Sequence, residues 1–190
     1  MNTRLTLDPH HARTRLGELT VLDVRTPGEY TSGHLPGALN VPLDQLQRAL
    51  PDIRQAARRG DLLVVCASGA RSENACKLLA EHGITAATLA GGTNAWVAEG
   101  HTLHHPEGTP RTAWAMERQV RLTAGTLVLT GLALGMIHPA LQLISAGVAG
   151  GLVFSALTNT CGMAAVLAKL PYNRPRPAEL DTTLAALRTR

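Results

Sequence analysis

Residues 61–72 read Asp-Leu-Leu-Val-Val-Cys-Ala-Ser-Gly-Ala-Arg-Ser. The run from Leu62 to Val65 is apolar without alternation, the pattern of a strand covered on both faces. Cys66 stands directly at its end, a short loop containing Gly69 follows, and a helix begins near Ser72. Ala75, Leu78 and Leu79 recur at helical spacing, and Gly83 falls where a helix C-cap would. Outward from this unit, Thr20–Val24 and Ile84–Leu89 read as strands and Asp44–Ala57 as a helix. Strands that alternate with helices and are apolar on both faces predict an α/β domain with a parallel sheet and helices on both faces. Its length, about a hundred residues, suffices for one core.

In a parallel sheet ligands bind at the carboxyl ends of the strands, which makes Cys66 the first candidate for chemistry. Backbone N–H groups of residues 67–71 can turn inward on the sulfur, and the helix N-terminus adds positive potential. Both favour thiolate over thiol and predict a pKa below the free value of ~8.5. Arg71 brings a permanent charge suited to an anionic substrate. The plainer alternative is a buried cysteine acting as a small hydrophobe. Strand end, glycine-containing loop and arginine together favour the nucleophile. Cys76, at a small-residue position on the following helix, reads as inert core.

The rest of the chain has a different solvent. The protein has 190 residues, 45% hydrophobic, 3% aromatic and 17% charged, with a formal net charge of +4. Residues 1–118 carry 12 basic and 12 acidic residues, whereas 119–190 carry 6 and 2. From Leu122 to Ala168, 47 residues pass without Asp, Glu, Lys or Arg. Within them a 16-residue run to Ile137 and a 19-residue run from Ala140 to Thr158 flank the His138-Pro139 break. At 1.5 Å per residue these span roughly 24 and 28 Å, close to a hydrocarbon core of about 30 Å. Arg121, Lys169, Arg174 and Arg176 bracket the stretch as membrane flanks do, so the positive-inside rule puts the α/β domain and both termini in the cytoplasm. Trp114 and Tyr172 fit that same interface. Gly131-x-x-x-Gly135 and Gly147-x-x-x-Gly151 are suited to packing the spans on each other or to forming a homodimer. The basic residues form no aromatic-interleaved patch, which argues against nucleic acid. Three cysteines at unrelated spacings argue against a disulfide framework or a zinc site. No apolar leader precedes the first strand, so no cleaved secretory signal is expected.

Three motifs in order resemble the rhodanese family of sulfurtransferases over about residues 5–103. They are Leu22-Asp-Val-Arg25 with YTSGHLPGALNV at 30–41, the CASGARS loop at 66–72, and LAGGTNAWVAEG at 89–100. The resemblance implies a five-stranded parallel sheet with the active loop after a central strand. It implies that Cys66 is the catalytic nucleophile, cycling between thiolate and persulfide. Ala67, Ser68, Gly69, Ala70, Arg71 and Ser72 would form the active loop that receives a small sulfur-containing anion such as thiosulfate, with cyanide or a thiol as acceptor. Cys66 and Arg71 are separated by four residues and Val65 precedes the cysteine. Related phosphatases use five residues and a preceding histidine, so phosphatase chemistry is disfavoured. Asp23 and Arg25 at a strand end are expected to support the site through hydrogen bonds rather than to react, and His34 to pack in its turn. Neither a metal nor an organic cofactor is implied, and the His10-His11 and His104-His105 pairs are not expected to bind metal.

The C-terminal region resembles the two-helix membrane domain of inner-membrane rhodanese-type proteins over about residues 113–175. RQVRLTAG at 118–125, NTCGM at 159–163 and LPYNR at 170–174 carry that resemblance. The expected organisation is a sulfurtransferase domain at 1–105, a linker at 106–112 and a membrane domain at 113–175. That domain would hold an interfacial helix at 113–121 and transmembrane helices at about 121–137 and 140–158, with a cytoplasmic tail at 176–190. Cys161 is expected to pack between helices. The expected function is a multi-pass inner-membrane rhodanese in a bacterial cell membrane. Two rivals stand beside it: a persulfide carrier or thiol-redox sensor feeding a membrane partner with little thiosulfate turnover, and a small exporter built on the hairpin. The spans carry few polar residues to line a pore, so the exporter ranks last.

Overall fold

The computed structural model describes residues 5–105, 116–158, 162–168, 170 and 177–189. The chain divides into two compact units, residues 1–113 with 174–190, and residues 114–173.

Five parallel strands form the sheet of the first unit: β1 (Thr6–Leu7), β2 (Thr20–Asp23), β3 (Leu39–Asn40), β4 (Leu62–Val65) and β5 (Ala87–Leu89), in the order β1-β5-β4-β2-β3. All four residues of both β2 and β4 are buried. Side chains alternate across a strand, so each strand feeds two cores. Leu22, Leu62 and Val64 face one core with Leu46, Ile53 and Ala56 of α3 (Leu46–Ala57) and Ala75 and Leu79 of α4 (Ala70–Glu81). Val21, Leu63 and Val65 face the other, with Ala12 of α1 (Pro9–Thr14), Tyr30 of α2 (Pro27–Thr31) and Trp96 of α5 (Gly92–Ala98). The α/β expectation therefore holds, with helices on both faces. Gly83 has φ +71 just past α4, and the N–H groups of Gly83 and Ile84 return to Ala80 and Leu79, which ends that helix as expected.

Residues expected to be a tail are part of this core. Helix α9 (Pro177–Thr189) packs along α3 and reaches β3. Leu180, Leu184 and Leu187 are buried in the α3–α4 core. Arg48 Nη2 donates to Asp181 at 2.8 Å and Arg188 Nε to Asp52 at 2.6 Å. Leucines at i, i+4 and i+7 give α9 one apolar stripe, and each is worth ~1.5–3 kcal/mol when fully buried. The charged residues around that stripe make the segment look like a solvated tail.

In the second unit α6 (Met116–Gly135) is continuous, so the expected division between an interfacial helix and a first span at residue 121 does not occur. A 3₁₀ turn at Pro139–Leu141 leads into α7 (Gln142–Thr158). Pro139–Thr158 is long and apolar enough to cross a bilayer. Leu129, Ile137, Phe154 and Leu157 are 64–82% exposed, a surface suited to lipid rather than water. A Cβ at Gly131 would lie 2.4 Å from Ser145 Oγ, which donates to Val128 O at 2.9 Å; a Cβ at Gly135 would lie 2.3 Å from Gln142. The first glycine pair is thus used by α6 against α7 of the same chain. The simple hairpin gains a short third helix, α8 (Gly162–Ala168), that contacts α6. Trp114, Cys161, Tyr172 and the 106–112 linker lie outside the described residues.

Candidate active site

Cys66 follows β4 directly and is 1% exposed. The chain reverses around its sulfur before α4 begins at Ala70. Gly69 N–H donates to Sγ at 3.1 Å and Ser72 N–H at 3.4 Å. Gly69 has φ +103, a conformation that L side chains rarely adopt, which is why glycine stands at that point of the loop. The Cys66 thiol lies 3.6 Å from Ser72 Oγ as acceptor; that hydroxyl donates to Gly69 O at 2.8 Å and meets Thr88 Oγ1 at 2.5 Å. Ser72 is thereby fixed between the loop and β5. Ala67 and Ala70 are half-buried and Ser68 is exposed, so the mouth of the loop carries small side chains.

The carbonyls of the loop are held from the other side. Thr93 N–H donates to Cys66 O at 2.8 Å and Asn94 N–H to Ala67 O at 3.0 Å. Turning these carbonyls toward α5 leaves Gly69 and Ser72 N–H free to face the sulfur. The close approach requires Gly92, whose φ is +62 and whose Cβ would lie 2.3 Å from Cys66 O and 2.6 Å from Ala67 O. The sequence signal for this support is two successive glycines, Gly91 and Gly92, at the start of a helix.

Arg71 is engaged elsewhere than expected. Its Nη1 and Nη2 donate to Oε2 and Oε1 of Glu29, both at 2.8 Å. Glu29 also accepts from Thr26 N–H and Oγ at 3.1 and 2.9 Å in the capping box of α2. Burial alone would raise the Glu29 pKa, but the hydrogen bonds and charge of Arg71 outweigh it and bring the group down to about 2. Burial likewise opposes the charge on Arg71, and the Glu29 pair reverses that and raises its pKa. Glu29 is absent from the expected site, because 42 residues separate it from Arg71.

Asp23 and Arg25 form a second buried pair. Arg25 Nη2 donates to Asp23 Oδ2 at 2.6 Å and to Gly33 O at 2.8 Å, and Arg25 N–H donates to Asp23 Oδ1 at 3.0 Å. The pair ties the end of β2 to the turn before His34. His34 stacks on Tyr30 with ring centroids 3.7 Å apart, and burial lowers its pKa. Burial pushes the Cys76 thiol up to about 11. Such a group stays protonated at neutral pH. No group of three or more metal-ligating side chains occurs among the described residues.

Comparison with known proteins gives two family matches, a rhodanese-like domain at residues 8–99 and the transmembrane domain of YgaP-like inner membrane proteins at residues 115–175. An uncharacterised protein of Synechocystis sp. is 36% identical over 81% of this chain and 84% of its own. A protein of Allochromatium vinosum named sulfurtransferase is 34% identical over 48% of this chain and 83% of its own. The crystal structure of a Bacillus halodurans protein aligns with a TM-score of 0.50 at 18% identity, over 60% of this chain and 88% of that one, a likeness of fold alone.

Proposed function

Because the chain belongs to the rhodanese-like sulfurtransferases and carries an inner-membrane transmembrane domain, we propose that it transfers sulfane sulfur through a persulfide on Cys66. Thiosulfate or a similar small sulfur-containing anion is the donor; cyanide or a thiol is the acceptor. The Cys66 thiolate attacks the terminal sulfur of the donor. As the Sγ–S bond forms, the donor's S–S bond breaks, and its electron pair leaves on sulfite when the donor is thiosulfate. The acceptor then removes the outer sulfur and returns the thiolate. The observation that carries this reading is the pair of N–H groups, from Gly69 and Ser72, aimed at a sulfur at the end of a central strand. They favour negative charge on Sγ and on the sulfur added to it. Ala67, Ser68 and Ala70 place only small side chains at the loop mouth, where that second sulfur would be added. The two apolar segments anchor the enzyme as a multi-pass protein, with the catalytic unit and both termini on the cytoplasmic side.

Intact-mass measurement of the purified full chain before and after thiosulfate, beside Cys66→Ala, tests the proposal. A gain of about 32 Da on the wild type alone, reversed by cyanide, is the expected result. A folded wild type that gains no sulfur from thiosulfate would refute thiosulfate as donor and favour the partner-fed carrier.

A further inference from the structure

A thiol and two hydroxyls meet between the active loop and β5, and their donors can be assigned. Ser72 Oγ lies 2.8 Å from Gly69 O, 2.5 Å from Thr88 Oγ1 and 3.6 Å from Cys66 Sγ. All three side chains are buried. A carbonyl oxygen can only accept, so the Ser72 hydrogen goes to Gly69 O. The Thr88 hydrogen then goes to Ser72 Oγ, the partner the structure gives that hydroxyl. The second lone pair of Ser72 Oγ takes the Cys66 thiol. Loss of the thiol proton turns Sγ into an acceptor and reverses what the sulfur needs. The Ser72 hydrogen can swing from Gly69 O to Sγ, because Glu73 N–H also donates to that carbonyl, at 2.9 Å, and keeps it satisfied. Among the described residues Thr88 is then the remaining donor to Ser72 Oγ.

We infer, resting on the sulfur-transfer reading above, that Thr88 is a positioning residue for Cys66: its hydroxyl holds the Ser72 oxygen so that the Ser72 hydrogen turns to the sulfur when the thiolate forms. Thr88 lies outside the loop, 16 residues after Ser72, and the sheet brings it there. Val64 faces the core shared with α4, and Thr88 is its register partner on β5, so the threonine comes to the same side of the sheet as Ser72. Donation from Thr88 polarises the Ser72 O–H and makes it a stronger donor to a charged sulfur. The bond counts for more in the thiolate state, where no thiol hydrogen remains to satisfy the buried Ser72 oxygen. Both effects raise the share of Cys66 present as the nucleophile that attacks the donor.

The test follows alkylation of Cys66 by uncharged iodoacetamide in the full chain in detergent, by peptide mapping over a series of pH values. Sulfur loading from thiosulfate and from a small-molecule persulfide is read beside it by intact mass. Thr88→Val keeps the branched shape and removes the hydroxyl. Its alkylation rate on the acid side of the profile should fall by about threefold or more with the alkaline plateau unchanged, so the midpoint moves up. Ser72→Ala should lower that rate by about tenfold or more. Thr88→Val added to Ser72→Ala should have no further effect. Thr88→Ser restores the hydroxyl but suits a strand less well than valine, so it should keep the wild-type midpoint, whereas a merely structural role gives the opposite order. The charged groups around the loop, Arg71 with Glu29, Arg25 with Asp23, and Glu73 in the first turn of α4, are the same in every variant, so the comparison isolates the hydroxyls. A Thr88→Val midpoint equal to wild type, a Thr88→Ser shift as large as that of Thr88→Val, or additive effects in the double variant overturns the inference while leaving sulfur transfer intact. A folded wild type whose Cys66 alkylates but loads sulfur from neither donor overturns the sulfur-transfer reading, and with it a place for Thr88 in the reaction, whatever the midpoints.

Discussion

Replacing Glu29 by Gln removes one charge and keeps the shape of the side chain, leaving the Arg71 guanidinium in place without its counterion. The size of the effect follows from the carboxylate. Depression of its pKa from 4.5 to about 2 corresponds to about 3 kcal/mol in favour of the folded state. Loss of one member of a buried ion pair costs ~3–5 kcal/mol, in the same range. A folded-state pKa below the unfolded one makes this contribution complete above pH 4.5, and it disappears as pH falls through about 2. Urea unfolding of the full chain in detergent, followed by the fluorescence of buried Trp96, measures it at a series of pH values. At pH 7 the Glu29→Gln midpoint should lie roughly 1–3 M below wild type, for urea slopes of ~1–3 kcal/mol per M. The gap should close as pH falls toward and through about 2, where the wild-type carboxyl loses its charge as well. Midpoints that coincide at pH 7, or a gap that stays constant down to pH 2, would refute the assignment of Glu29 as the counterion that holds the loop.

Gly92→Ala would press a methyl group against the carbonyl oxygens of Cys66 and Ala67, so sulfur loading at Cys66 should slow by at least about tenfold, read by intact mass over time. Leu187→Ala, at the fully buried last leucine of the α9 stripe, should lower stability of the α/β unit by about 2–5 kcal/mol in the same urea assay. Cys76, with its thiol near 11 against an ordinary 9.0, should alkylate about a hundredfold more slowly than a free thiol at pH 8, with the rate rising toward pH 11, followed by peptide mapping after iodoacetamide.

The central strands and the reactive cysteine were legible because their signals are local. Leu62–Val65 is apolar on both faces over four residues, and the turn after Cys66 is written in Gly69 and in the helical spacing that follows. The two-residue strands β1 and β3 left no such pattern, since pairing to β5 and β2 makes them strands rather than their own periodicity. The partner of Arg71 was hidden for a related reason. An arginine beside a reactive cysteine reads as a substrate ligand until the fold brings Glu29 to it from α2, with both oxygens committed. Nor did the sequence reveal α9, because its three leucines acquire meaning only from the apolar side of α3. The interfacial helix expected at 113–121 and the span expected from about 121 join, over the described residues, in α6, which runs through Arg118 and Arg121 because charged residues do not interrupt a helix.

The return of α9 to the sheet has a consequence for biogenesis. To a bilayer, everything between residue 105 and residue 177 is an excursion that must begin and end in the same compartment, since α3 and its leucine partners belong to one core. The number of crossings in that excursion is even, zero or two. A lone Pro139–Thr158 span would strand Leu180, Leu184 and Leu187 across the membrane from the surface they cover. Domains generally fold in the order of their synthesis. Here the sheet emerges first, the apolar segments second and α9 only after them, so the α3 face stays open until the excursion has turned back. A chain that inserted with an odd number of crossings would be left with an exposed apolar patch where a chain that turned back has a helix.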